Sequence, residues 1–96
     1  KLWILGIKTE SEGTLIETRN GGSTELLGGL AYTSGWSGGV PMFVVKDAKF
    51  SAAIAEVCWD DRYYRTIVRE TRGGMTRELK SDDPRWGRNM PLFSAQ

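Results

Sequence analysis

Glycine doublets interrupt this chain at four places and restrict the secondary structure that it can form. Of the 96 residues 12 are glycine, and most of these occur as the pairs Gly21-Gly22, Gly28-Gly29, Gly38-Gly39 and Gly73-Gly74. Glycine costs about 1 kcal/mol relative to alanine inside a helix and readily adopts positive φ. The pairs therefore predict tight turns and irregular backbone, and they argue against any long helix between residues 20 and 41.

The length of the chain fits one globular domain over residues 1–96, because smaller pieces would bury too little surface to fold. An apolar fraction of 40% and a charged fraction of 26% are ordinary for a folded protein. Segment 81–96 carries apolar residues, among them Trp86, between polar ones. We expect it to be a C-terminal tail that docks on the body of the domain.

The N-terminal half of the sequence predicts one hairpin and one long loop. Strand-forming residues over 2–7 and 14–18 flank a short polar segment that ends at Gly13, which is the pattern of a β-hairpin. Residues 20–41 are the least regular region and predict an ordered loop. The apolar run over 40–45 is suited to a central strand with both faces covered.

A helix is predicted over residues 48–59. Phe50, Ile54 and Val57 recur at spacings of four and three with alanines between them, which is typical of a helix with one apolar face. Asp47 precedes this segment, and its carboxylate is of the type that accepts the free amide hydrogens of a first helical turn.

Residues 60–80 fit two structures. In the first, 60–72 is a helix that ends at Gly73. In the second, Gly73-Gly74 is the turn of a hairpin. The hairpin register sets Arg69 opposite Glu78, Glu70 opposite Arg77, Thr71 opposite Thr76, and Val68 opposite Leu79. We favour the hairpin because one register brings together two opposite-charge pairs and an apolar pair.

These elements add up to an α+β fold. We predict an antiparallel or mixed sheet of about five strands, made of two hairpins plus a central strand and packed by one main helix. An open sheet of this kind leaves edge strands, so a homodimer formed through an edge is compatible with the sequence.

The residue types present exclude several chemistries. The chain has no histidine and one cysteine, Cys58, so zinc sites of the common kinds and Ser–His or Cys–His relays cannot be assembled. The carboxylate doublets at 60–61 and 82–83 are more simply explained by turns and caps. We predict no catalytic residues, no metal and no cofactor, and we lean towards a protein that is not an enzyme.

The single cysteine also excludes a disulfide-framed scaffold, and no apolar run approaches the roughly 20 residues that a membrane span needs. No signal-peptide pattern is visible. These observations favour a cytoplasmic protein that does not bind membranes.

Tryptophan is the strongest positive sign of function, since Trp, Tyr and Arg dominate binding hot spots. Four tryptophans occur in 96 residues. We expect Trp3 and Trp59 in the core. Trp36 lies in a Gly/Ser segment with no apolar neighbour, and Trp86 lies between arginines in the tail, so both are candidate contacts.

Basic and aromatic residues alternate in Arg62-Tyr63-Tyr64-Arg65, with Arg69 beyond. Aromatic rings flanked by arginines on a sheet bind single-stranded nucleic acid by stacking and phosphate contacts. The net charge of +1 gives this alternative little support. A second alternative is small-ligand binding or carboxylate catalysis at the Gly-rich segment 28–39, whose backbone amides could face an anion.

We therefore predict a small, non-catalytic binding module, most simply an interaction domain or an inhibitor that acts by occupying another protein. Its predicted contact residues are Tyr32, Trp36, Tyr63, Arg65, Arg69 and Trp86.

Overall fold

A computed structural model describes residues 1–10, 12–33, 39–58, 61–81 and 87–95, of which 88–95 are described as backbone alone. Within these ranges the regular structure is entirely β. The strands are β1 (Leu2–Ile4), β2 (Lys8–Glu10), β3 (Ile16–Arg19), β4 (Ser23–Thr33), β5 (Phe43–Lys46), β6 (Lys49–Cys58), β7 (Thr66–Arg72), β8 (Met75–Lys80) and β9 (Arg88–Ala95).

The strands form two sheets that the chain visits in turn. The five-stranded sheet has the order β1-β4-β6-β9, with β2 also paired to β4, and the four-stranded sheet has the order β3-β5-β7-β8. We call one passage of the chain through both sheets a circuit. Residues 2–19 form the first circuit, 23–46 the second and 49–72 the third.

Successive circuits stack with parallel strands in register. Leu2 lies beside Thr24, and Thr24 lies beside Phe50. In the other sheet Ile16 lies beside Phe43, and Phe43 beside Val68. This winding, with a strand paired to the one laid down a circuit earlier, is a parallel β-solenoid. The direction reverses only at the last two strands, because β8 pairs antiparallel with β7 and β9 pairs antiparallel with β6.

The core lies between the two sheets and follows the alternation of side chains along each strand. In β6, Phe50, Ala52 and Ile54 point inwards and are buried, while the residues between them are half-buried on the outer face. The ring centroids of Phe43 and Phe50 are 5.0 Å apart, so this contact joins the two sheets. Tyr64, which is fully buried, fills the same core cluster.

The α+β prediction is wrong, and the predicted helix over 48–59 is strand β6. Phe50 and Ile54 are four residues apart, a spacing that places them on one face of a helix and also on one face of a strand. Val57, at the odd spacing, lies on the outer face of the strand. Asp47 does not cap a helix, because it occupies the corner between β5 and β6.

The predicted N-terminal hairpin and the loop over 20–41 are also wrong. β1 and β3 lie in different sheets, and β1 pairs parallel with β4 instead. Strand β4 covers residues 23–33 within the predicted loop, and it crosses the Gly28-Gly29 pair through a bulge: these two residues lie opposite Ile54 of β6. The central strand predicted over 40–45 exists as β5, although it begins at Phe43.

The hairpin prediction around Gly73-Gly74 is confirmed. β7 and β8 pair antiparallel with Arg69 opposite Glu78, Glu70 opposite Arg77 and Thr71 opposite Thr76, which is the predicted register. Both glycines of the turn have positive φ, as the turn requires.

The corner between the two sheets is built the same way in the first two circuits. Asn20 and Asp47 have φ of 55° and 47°, in the left-handed region, and they follow β3 and β5. In the third circuit Gly73, with φ of 56°, begins the hairpin turn to β8 instead. The amide of Gly21 donates to the carbonyl oxygen of Asp47 at 2.8 Å, and the amide of Gly73 donates to Oδ1 of Asp47 at 2.9 Å. Stacked corners therefore continue the hydrogen bonding between circuits where the strands end.

Gly29→Ala should destabilise the fold by about 1–3 kcal/mol, because a Cβ there would lie 2.7 Å from the carbonyl oxygen of Ile7. Gly13→Ala is the matched control, since a Cβ at Gly13 meets nothing within 4 Å. Urea unfolding of both variants measures the difference. Equal losses of stability would show that the contact between Ile7 and the bulge is not tight.

Candidate interaction surface

The outer face of the five-stranded sheet carries large apolar side chains that the core does not use. In β4, Leu26 and Ala31 point inwards and are buried, whereas Leu27 and Leu30 are 46% and 37% exposed. The Gly28-Gly29 bulge resets the alternation of the strand, so that two leucines three residues apart share the outer face.

The first circuit extends this apolar surface. Trp3 lies beside Glu25 in the register of β1 with β4 and is 65% exposed. Leu5, in the bend between β1 and β2, is 78% exposed. The amide of Gly6 donates to the carbonyl oxygen of Leu27 at 3.2 Å, which holds this bend beside β4. We call Trp3, Leu5, Leu27 and Leu30 the apolar patch.

Trp3 is oriented by polar contacts. Its Nε1 donates to Oε2 of Glu25 at 2.9 Å, and Nζ of Lys1 lies 5.0 Å from the ring centroid. Lys1 also forms an ion pair with Glu25 at 3.9 Å. A tryptophan that is fixed in this way loses less conformational freedom when a partner covers it.

Charged residues flank the apolar patch on the first circuit. Nζ of Lys8 lies 3.1 Å from Oε1 of Glu10, and both side chains are exposed. Glu10 lies beside Tyr32 in the register of β2 with β4, and Tyr32 is half-buried on the same outer face. The surface thus has an apolar centre and a rim that contains both signs of charge.

The structure describes four of the six predicted contact residues, and it separates Tyr32 from the other three. Tyr32 adjoins the apolar patch, while Tyr63, Arg65 and Arg69 belong to the segment that leads into the other sheet and to β7. Trp36 and Trp86 lie outside the described residues, as does Trp59.

The predicted arginine–tyrosine face is largely engaged within the molecule. Tyr64 is buried, and its hydroxyl donates to the carbonyl oxygen of Gly13. The Arg65 guanidinium lies 3.9 Å from the ring centroid of Tyr63, and Nε of Arg69 donates to Oε2 of Glu78 at 2.7 Å. Stacking a base on Tyr63 from this side would require Arg65 to move.

Sequence reasoning missed all four residues of the apolar patch. The expectation that Trp3 lies in the core is wrong, since it is the second most exposed of them. The only signal for the leucines is the pattern Leu26-Leu27-Gly28-Gly29-Leu30-Ala31. That pattern identifies an outward pair only once the segment is known to be a bulged strand.

Two buried carboxylates serve the fold. Oε2 of Glu56 accepts hydrogen bonds from Oγ1 of Thr33 at 2.7 Å and from the amide of Tyr64 at 3.2 Å, which ties two circuits together. Glu70 is buried and accepts hydrogen bonds from Arg72 and Arg77. The hydrogen bond from Arg77 lowers the pKa of Glu70 below its ordinary value of 4.5, against the opposing effect of burial, and Arg72 lowers this pKa further.

Among the described residues no group of three or more His, Cys, Asp or Glu side chains is placed to hold a metal ion. In the same part of the chain, no helix has the length and apolar character needed to cross a membrane. Comparison with protein-family models, with curated proteins and with solved structures gives no match. The functional proposal therefore rests on the chemistry of the surface alone.

Because the pKa of Glu70 is lowered in the folded state, its contribution to stability is present above pH 4.5 and is lost as the pH falls through the folded value. We expect the free energy of unfolding to fall as the pH drops below 4.5, and Glu70→Gln to make this fall shallower. At neutral pH the substitution should cost about 1–3 kcal/mol.

Urea unfolding from about pH 3 to pH 7 measures this dependence. Glu78→Gln is the control, because the pKa of exposed Glu78 is also lowered, first by its hydrogen bond with Arg69. If Glu78→Gln changed the pH profile more than Glu70→Gln, the assignment to the buried carboxylate would be wrong.

Proposed function

We propose that this protein is a non-catalytic binding module that binds another protein through the apolar patch. The observation that carries the proposal is the exposure of Trp3, Leu5, Leu27 and Leu30 on neighbouring positions of one sheet face. Soluble proteins rarely expose a contiguous set of large apolar side chains unless a partner covers it.

The physical character of the patch suits a protein partner. An exposed sheet face offers large apolar contacts to another protein, whereas small ligands are usually bound in concave sites. Trp3 supplies the large, oriented side chain that commonly dominates binding energy. The ion pairs Lys1–Glu25 and Lys8–Glu10 lie at the rim, where charges act mainly on specificity and on the rate of association.

The other two functions considered from the sequence gain less support. For nucleic acid, the burial of Tyr64 removes one of the two stacking rings, and Arg69 is paired with Glu78. For a small ligand, residues 28–33 of the Gly-rich segment are part of strand β4, and their amides belong to a sheet rather than to an anion-binding loop.

Photo-crosslinking tests the surface even when the identity of the partner is unknown. With p-benzoylphenylalanine in place of Leu27, we expect a discrete protein adduct in an extract of the source cells. The same probe in place of Met75, which is 75% exposed on β8 of the other sheet, should not give this adduct. Identical adducts from both positions, or none from Leu27, would contradict the proposal.

Once the crosslinked partner has been identified and purified, its affinity for variants of this chain measures the contribution of the apolar patch to binding. Trp3→Ala should weaken binding by about tenfold or more, which corresponds to about 1.4 kcal/mol or more. Met75→Ala should change the dissociation constant by less than about twofold, because it truncates an exposed side chain on the opposite sheet. Calorimetric titration of both variants gives the comparison, and equal losses would place the binding site elsewhere.

A further inference from the structure

The two sheets of the solenoid differ in charge. Strands β3, β5, β7 and β8 of the four-stranded sheet contain six basic and three acidic residues, whereas the described strands of the five-stranded sheet contain three of each. The whole chain has a net charge of only +1. The fold therefore concentrates positive charge on the sheet that lies across the core from the apolar patch, and a surface of this kind attracts negatively charged partners.

Each strand of the four-stranded sheet carries one basic side chain on the outer face. Lys46 is exposed at an outward position of β5, and Arg19 of β3 lies beside it in register. Arg69 alternates with buried neighbours in β7 and points outwards. Glu78 of β8 lies opposite Arg69, and Lys80, two residues further along β8, shares this face. We call Arg19, Lys46, Arg69 and Lys80 the basic row.

The basic row crosses the sheet diagonally. Arg19 and Lys46 are neighbours in register, and Lys46 lies beside Thr71, which is two residues beyond Arg69. Lys80 is displaced from Arg69 by one strand and two residues in the same direction. Neighbouring strands are about 4.8 Å apart, and side chains on one face are about 6.6 Å apart along a strand. The steps of the row are therefore about 5–8 Å, and its length is about 20 Å.

The acidic side chains of this face do not cancel the basic row. The side chain of Glu78 is 26% exposed, whereas those of its partners Arg69 and Lys80 are 43% and 64% exposed, so an approaching ligand meets the cations first. Glu17 pairs with Arg19 on β3. Lys46, between them, forms no ion pair with any residue that the structure describes.

The chemistry of this face favours carboxylates over nucleic acid or lipid. The outward positions of the four strands hold no exposed aromatic side chain on which a base would stack, and no exposed large apolar side chain that would enter a bilayer. The exposed Met75 and Leu79 alternate with Glu78 along β8 and point to its other side. Carboxylates need only the cations, and arginine binds them through two parallel hydrogen bonds.

We propose that the basic row binds an extended acidic segment of a partner protein, in which every second residue is Asp or Glu. In an extended chain alternate side chains lie on one face at intervals of about 6.6 Å, so four carboxylates span about 20 Å and match the row. The row and the apolar patch lie on different sheets and share no residue. The chain can therefore hold two partners at once and connect them.

A labelled peptide with four glutamates alternating with serines tests this site by fluorescence anisotropy. The wild-type chain should bind it with a dissociation constant below about 1 mM in about 50 mM NaCl. Binding should weaken at least fivefold in about 500 mM NaCl, because salt screens exposed charges. The same peptide with glutamine in place of every glutamate should not bind.

Charge reversal within the row locates the site. Lys46→Glu should weaken binding of the acidic peptide at least fivefold, because it sets a like charge against the carboxylates. Lys8→Glu is the matched control: it changes the net charge equally on the other sheet and should alter the dissociation constant less than twofold. Thermal unfolding of each variant confirms that it is folded.

No binding of the acidic peptide up to about 1 mM would overturn the proposal, as would equal losses in Lys46→Glu and Lys8→Glu. Tighter binding of a single-stranded oligonucleotide of equal charge, or of vesicles that contain anionic lipid, would also overturn it if Lys46→Glu abolished that binding. Trp3→Ala should bind the acidic peptide normally, so this proposal and the one for the apolar patch fail separately. Loss of peptide binding in Trp3→Ala alone would reject the basic row.

Discussion

The parallel pairing of β4 with β6 is the contact on which the rest of the molecule depends. It joins the second circuit to the third over nearly the whole length of both strands. It also sets the inward side chains of the two strands into common columns, so that Phe50 reaches Phe43 of the opposite sheet. Without this ladder the sheets would have no shared core, because no described segment packs across them as a helix would. Strands β1, β2 and β9 pair directly with these two strands, and the four-stranded sheet packs against them across the core.

Glycines and residues with left-handed backbone conformation interrupt the regular stack of strands at its corners and within β4. Asn20 and Asp47 turn the chain from the four-stranded sheet to the five-stranded sheet at equivalent points, whereas Gly73 begins the hairpin turn from β7 to β8. The Gly28-Gly29 bulge acts within a strand, and it turns Leu27 and Leu30 to the same side. The apolar patch is thus a product of the backbone irregularity in β4. A strand without the bulge would bury one of these leucines and would expose a residue that now lies in the core.

The sequence predicted contacts that are close along the chain and missed those that are a circuit apart. The β7–β8 register was accessible because a two-residue turn fixes it and its charge pairs lie within about a dozen residues. The partner of β1 lies more than twenty residues away, and nothing in Leu2–Ile4 specifies it. The corners of the first two circuits share a backbone conformation but differ in sequence, as Asn20 and Asp47 show, so no repeat was visible. At the surface, Tyr32 is a predicted contact residue that adjoins the apolar patch, whereas Trp3 was assigned to the core because large aromatic residues are often buried.

Stacked circuits touch only their nearest neighbours, and this gives the molecule a gradient of local stability along its axis. Strands β5 and β7 have a hydrogen-bonded strand on each side, as do β4 and β6. In contrast, β1, β2 and β3 at one end and β8 and β9 at the other have one on a single side. Fraying is therefore expected at the ends of the stack, and amide hydrogens exchange with solvent faster in the first circuit than in the middle. Trp3 and Leu5 belong to this circuit, so half of the apolar patch lies on a part of the molecule that opens more readily than the middle of the stack. A partner that covers the patch would clamp the fraying end, and slowed exchange in β1 and β2 would record its binding.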